Sequence, residues 1–296
     1  MQIIRTPEDR FNDLVDFPFT PRFVKIGGLT VHYVDEGSGD PILLLHGEPT
    51  WSFLYRKMID PLSEVGRVLA FDFVGFGRSD KLSDPSDYTF QMHADTLAGF
   101  VRHLGLADIT LVVHDWGGMI GLWFAALNPE LIKRLVILNT GLPTGRKPPE
   151  AFMRWRGFVE NTPDLPIDLI IKMGLFRPDG VSDRIIACYT APFPDAGFKA
   201  GARAWPLMVP VEPDSPVAVY NQETRDALSR WDKPALVLFS DKDPISRGAD
   251  GFFRGLIPTT KDQPEITIKD AGHFLQEEKG PEIARHIVEF IGRTGG

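Results

Sequence analysis

Six short apolar runs constrain this 296-residue chain more than any other feature: 41–45, 67–71, 109–113, 134–138, 235–239 and 265–268. They are rich in Val, Ile and Leu, and runs this apolar, without alternation, suit parallel strands covered on both faces. The run 29–35 alternates more and reads as an antiparallel strand at the start of the sheet. Between the runs the period lengthens: Leu97, Phe100, Val101 and Leu104 fall at i, i+3, i+4 and i+7, one apolar helical stripe. Gly280-Pro281 opens a second helix, with Ile283, Ile287, Phe290 and Ile291 forming its stripe. The expected class is α/β: a mostly parallel, roughly eight-stranded sheet with helices on both faces.

The alternation breaks once. Twelve of the 25 prolines fall between Leu142 and Pro216, alongside Trp155, Trp205 and several phenylalanines. We therefore expect a core domain made of residues 1–140 and 217–296 and an inserted helical cap over 141–216. An apolar cap over a sheet edge excludes water and presents large side chains to a small ligand. Its aromatics would also suit a purely structural insertion.

Composition narrows the function. A net charge of −8 with no local Lys/Arg cluster argues against nucleic acid and anionic membranes as partners. Cys188 is the single cysteine, so no internal disulfide can form. Residues 1–10 are charged, and the most apolar stretch, 111–127, is broken by His114 and Asp115. The chain reads as cytoplasmic, neither secreted nor membrane-spanning. No paired histidine spacing suggests a metal, and no cofactor is expected.

The strongest local signal is Val113-His114-Asp115-Trp116-Gly117-Gly118, between the run 109–113 and the apolar helix 119–127. This is where α/β-hydrolase folds carry the nucleophile elbow, a tight strand-to-helix turn that lifts one side chain into the site. Here that side chain is a carboxylate. Ionised Asp115 could attack an sp3 carbon directly and displace a leaving group, giving an ester of the enzyme; alternatively it could merely cap the helix. The order nucleophile, acid, histidine favours chemistry, because Asp243 follows 235–239 and His273 follows 265–268. His273 would activate water against the ester while Asp243 orients it, with Asp241 a neighbouring rival. His46 and His114 would support the site. The backbone N–H groups of Glu48, in the loop after 41–45, and Trp116 would form the oxyanion hole. The indole N–H of Trp116 suits a displaced halide, and the cap offers Trp155 or Trp205 as a second donor.

These segments are familiar. Residues 46–52 (HGEPTWS), 72–80 (DFVGFGRSD), 114–118 (HDWGG), 191–195 (APFPD) and 272–277 (GHFLQE) resemble haloalkane dehalogenases, in particular the subfamily that holds halide with two tryptophans. The resemblance runs from about Arg5 to the C-terminal helix. It implies Asp115 as nucleophile, His273 as base and Asp243 as acid, and it matches Trp155 to the second halide-binding tryptophan and Trp205 to a pocket-lining aromatic. The pocket is expected to include Phe152, Phe158, Phe193 and Trp205. The implied partners are a small halogenated aliphatic substrate, water and the released halide, and a monomer is expected.

One departure is informative. The subfamily resembles QDWGG at the elbow, whereas HDWGG is familiar in epoxide hydrolases, which assist the leaving oxygen with cap tyrosines. Only Tyr189 lies in the cap, with Tyr220 just beyond. A non-catalytic binding protein of the same fold is a further alternative. Hydrolysis of halogenated acids would call for a cationic clamp, but Trp116 stands where that family usually carries arginine, so the pocket is expected to be neutral and apolar.

Overall fold

The computed structural model describes residues 2–146 and 150–295; Met1, Lys147–Pro149 within the expected cap, and Gly296 lie outside the described residues. The strands are β1 (Ile3–Ile4), β2 (Arg22–Ile26), β3 (Leu29–Gly37), β4 (Pro41–Leu45), β5 (Arg67–Phe71), β6 (Lys81–Leu82), β7 (Ile109–His114), β8 (Ile132–Leu138), β9 (Ala235–Ser240) and β10 (Ile266–Ile268). Eight of them form one sheet in the order β10-β9-β8-β7-β4-β5-β3-β2, and β1 pairs with β6 in a separate ribbon. The β2/β3 and β3/β5 pairs are antiparallel and the remaining pairs of the sheet are parallel. The expected mostly parallel sheet is therefore present, and every apolar run supplies a strand. The edge strand β2 was not expected: only Val24 of its five residues is buried, so it carries no apolar run.

The helices are α1 (Arg56–Ser63), α2 (Phe90–Leu104), α3 (Trp116–Leu127), α4 (Glu150–Glu160), α5 (Ile167–Gly174), α6 (Asp183–Thr190), α7 (Ala200–Met208), α8 (Pro216–Leu228), α9 (Ala249–Leu256) and α10 (Leu275–Thr294). All six residues of β7 are buried, which requires cover on both faces of the sheet. One helix group pairs α1 with α10; the other joins α2 and α8 to α3. Burying each Val, Ile or Leu side chain of such a strand contributes about 1.5–3 kcal/mol.

The helix stripes are used as the spacing implies. In α2, Leu97, Phe100 and Val101 are buried, the helix is capped by the Thr89 side chain, and it ends at Gly105 in the left-handed conformation. Helices α4 to α7 lie between β8 and α8, within the segment read as a cap. Among the described residues, no helix is long and apolar enough to cross a membrane.

Candidate active site

Strand β7 ends at His114, and the next residue, Asp115, has φ 50° and ψ −122°. A non-glycine residue held at positive φ is strained, and the neighbouring packing has to impose it. Two glycines allow the turn. A Cβ on Gly117 would collide with the carbonyl oxygen of Leu45 at the end of β4, and one on Gly47 would collide with the Asp115 side chain. Helix α3 can thus dock against β4, and the loop after β4 can lie directly on the carboxylate. Asp115 makes no side-chain capping bond to α3, so its carboxylate remains available to the site.

The Glu48 backbone N–H donates to Asp115 Oδ1 at 2.8 Å. His273 brings Nε2 within 3.5 Å of Asp115 Oδ2 and holds Asp243 Oδ2 at 2.9 Å from Nδ1. Burial raises the proton affinity of Asp115, but hydrogen bonding and charge from His273, with the Trp116 backbone N–H, outweigh it and keep the carboxyl below its ordinary range. Burial likewise opposes the charge on His273, yet Asp243 and Asp115 push its pKa up to about 10. Asp243 lies well below the carboxylate range despite burial, because His273, Ser246 and the Ile245 N–H all stabilise its anion. Its rival Asp241 points elsewhere, accepting from the Asp270 N–H at 2.8 Å and pairing with Lys242 at 3.1 Å.

The supporting residues carry recognisable tasks. His46 accepts from the Phe73 N–H at Nε2 (3.0 Å) and donates from Nδ1 to the Gly47 carbonyl (3.0 Å), which fixes the loop bearing Glu48. Asn139, just past β8, was not singled out from the sequence. Its Nδ2 donates to Ser240 Oγ and to the carbonyls of Gly272 and His273, while its Oδ1 accepts from the Ser240 N–H. It ties the ends of β8 and β9 to the loop that carries His273. Thr140 donates to the Asp115 carbonyl at 2.6 Å. The available signal was position: both residues directly follow the buried run 134–138.

A cavity of about 710 Å³ opens over Asp115 and His273 and is lined by Trp116, Phe152, Trp155 and Phe158 among others. The last three project from one side of α4. Two expected lining residues are corrected: Trp205 and Phe193 are not part of the cavity wall. Trp205 is fully buried behind Trp116, with ring centroids 5.1 Å apart, and its indole N–H is already donated to His93 Nε2 at 2.7 Å. Phe193 is buried near Phe76, centroids 6.4 Å apart. The indole N–H groups of Trp116 and Trp155 make no hydrogen bond with any described residue.

Two further expectations are settled by packing. No tyrosine lines the cavity among the described residues. Tyr189 donates to Glu277 at 2.7 Å, and Tyr220 stacks on Phe90. The wall is not uniformly neutral either: Arg146, Arg154, Arg225 and Arg247 contribute to it.

Known proteins resemble this chain in both sequence and fold. Residues 40–187 match the alpha/beta hydrolase fold family. The chain is 46% identical over 299 residues to a haloalkane dehalogenase of Mycolicibacterium paratuberculosis, covering 98% of each. It is 44% identical over 300 residues to one from Psychrobacter cryohalolentis, again covering 98% of each. Among solved structures, the tetrameric haloalkane dehalogenase DpaA from Paraglaciecola agarilytica NO2 superimposes with a TM-score of 0.90 at 36% identity, covering 96% of this chain and 97% of that one. Sequence, fold and similarity converge: the chain belongs to the haloalkane dehalogenases of the α/β-hydrolase superfamily.

Proposed function

We propose that the protein converts a haloalkane and water to an alcohol and halide through an ester of Asp115. Asp115 Oδ1 is engaged by the Glu48 N–H, leaving Oδ2 to attack the halogen-bearing carbon. The C–O bond forms as the carbon–halogen bond breaks, and the halide leaves with the bonding pair. The free indole N–H groups of Trp116 and Trp155 receive it. Water then attacks the ester carbonyl carbon, His273 takes its proton, and the N–H groups of Glu48 and Trp116 hold the oxyanion. Collapse expels the alcohol and restores the carboxylate.

Alkylation also readies the base. It removes the charge of Asp115, one of the groups that hold His273 protonated, so the imidazolium can release its proton and accept one from water. In this reading residues 141–216 form the cap that keeps bulk water from the ester, and the chain acts as a monomer, for which light scattering should give a mass near 33.1 kDa.

The observation that carries the reading is His273 bridging Asp115 at 3.5 Å and Asp243 at 2.9 Å beneath a cavity with two free indole donors. The test is halide release from 1,2-dibromoethane and 1-bromobutane, with styrene oxide hydrolysis run in parallel. Halide release should be lost in Asp115→Ala. His273→Phe should release about one equivalent and retain the alkyl group as a mass increment. Epoxide opening without halide release would contradict the reading.

A further inference from the structure

Arginines from four separate segments converge on one cavity. Arg146 follows β8, Arg154 sits on α4, Arg225 on α8, and Arg247 in the loop before α9. Arg146, Arg154 and Arg247 are exposed as well as cavity-lining, so they mark the solvent end. The carboxyl groups lining the same cavity, among the described residues, are those of the buried Glu48 and the partly buried Asp115, both at the reactive end.

Among the described residues, nothing balances most of this charge. Arg154 pairs with Glu150 on the surface of α4. No ion pair engages Arg146, Arg225 or Arg247 among the described residues. Arg225 is half-buried: it donates to the Leu142 carbonyl, lies over the Phe252 ring at 4.6 Å, and keeps Nε buried without a partner. Burial and the like charge of Arg146 both lower its pKa. A net charge of −8 makes such a cationic rim a local exception. Most of the remaining wall is apolar, with Phe152, Val209 and Phe252 contributing.

Resting on the dehalogenase reading, we propose that the preferred substrate is a terminally halogenated aliphatic chain with an anionic group, most simply a carboxylate, at its other end. The halogen faces Trp116, the methylene chain follows the apolar wall, and the anion sits with Arg146, Arg225 and Arg247, which no carboxylate of a described residue engages. The chemistry at carbon is unchanged: 6-bromohexanoate and water give 6-hydroxyhexanoate, bromide and a proton. A rim of this kind would also raise the encounter rate for anions. The clamp absent from the elbow is thereby supplied at the mouth.

The experiment compares kcat/KM for 6-bromohexanoate with that for the neutral 6-bromohexan-1-ol, both read as bromide release. The anion-to-neutral ratio should be at least about tenfold at low ionic strength and fall towards one in about 0.5 M sodium sulfate, which screens the rim. Arg247→Gln and Arg225→Gln should each lower the ratio by roughly three- to tenfold. Arg225 also holds the Leu142 carbonyl, so Arg247→Gln supplies an independent variant; a general folding defect would lower both rates and leave the ratio unmoved. A wild-type ratio of one or less overturns the anion site while bromide release from the alcohol leaves dehalogenation intact. Release from neither chain would overturn dehalogenation, and this proposal with it.

Discussion

His114 Nε2 lies 2.9 Å from the backbone carbonyl of His273, and the two rings sit with centroids 4.9 Å apart. Burial, reinforced by the charge on His273, pulls the pKa of His114 down to about 3, so the ring is neutral and its Nε2–H donates. The residue that departs from the QDWGG pattern therefore props the loop carrying the proposed base, a task a glutamine amide can also perform. His114→Gln should keep halide release within about threefold, because a donor is retained. His114→Leu should cost about 1 kcal/mol in urea denaturation, since Asn139 still serves the same carbonyl. Equal stability for Leu and wild type would show that the contact contributes nothing.

Glu48 is a buried acid beside a partly buried anion, Asp115. Burial first and Asp115 second raise its pKa well above the ordinary value, and Oε1 has no hydrogen-bond partner. The unfolded chain releases this proton near the usual carboxyl pKa, so the native state loses stability relative to it as pH rises through the interval up to the raised pKa. Glu48→Gln removes that penalty. Its melting temperature should exceed that of the wild type at pH 8, with the difference shrinking towards pH 5. A gap independent of pH would mean that Glu48 is ionised in the fold.

The raised pKa of His273 acts in the same direction, at higher pH. The stability it contributes is fully present below about 6.5 and fades as pH climbs through about 10. Asp115→Asn deletes one carboxylate that holds the proton, so the imidazole should titrate below the wild-type value. Nitrogen-15 NMR of the histidine ring reads this directly. An unchanged titration would remove Asp115 from the groups controlling the base.

If Trp116 and Trp155 jointly hold the departing halide, then Trp155→Phe should weaken bromide product inhibition by about five- to thirtyfold, the equivalent of one charge-assisted hydrogen bond worth ~1–2 kcal/mol. Trp205→Phe should not act through the halide in this way, because its N–H serves His93. Its effect should appear as lost stability. Bromide affinity responding to Trp205 and not to Trp155 would reverse the assignment.

Much of the architecture was legible in the chain because it depends on neighbouring residues. Unalternated runs such as 109–113 mark strands buried on both faces, Leu97, Phe100 and Val101 mark a helix stripe, and His114-Asp115-Trp116-Gly117-Gly118 marks a tight strand-to-helix turn. The placing of Asp243 and His273 at strand ends followed from the same logic. The remainder was decided by tertiary structure. The indole of Trp205 is committed to His93, 112 residues away, Asn139 gathers Ser240, Gly272 and His273, and four arginines from separate segments line one cavity. Periodicity reports which way a side chain leaves the backbone, but its hydrogen-bond partner and the charges facing it are set by how distant segments pack, and that information resides in no single stretch of sequence.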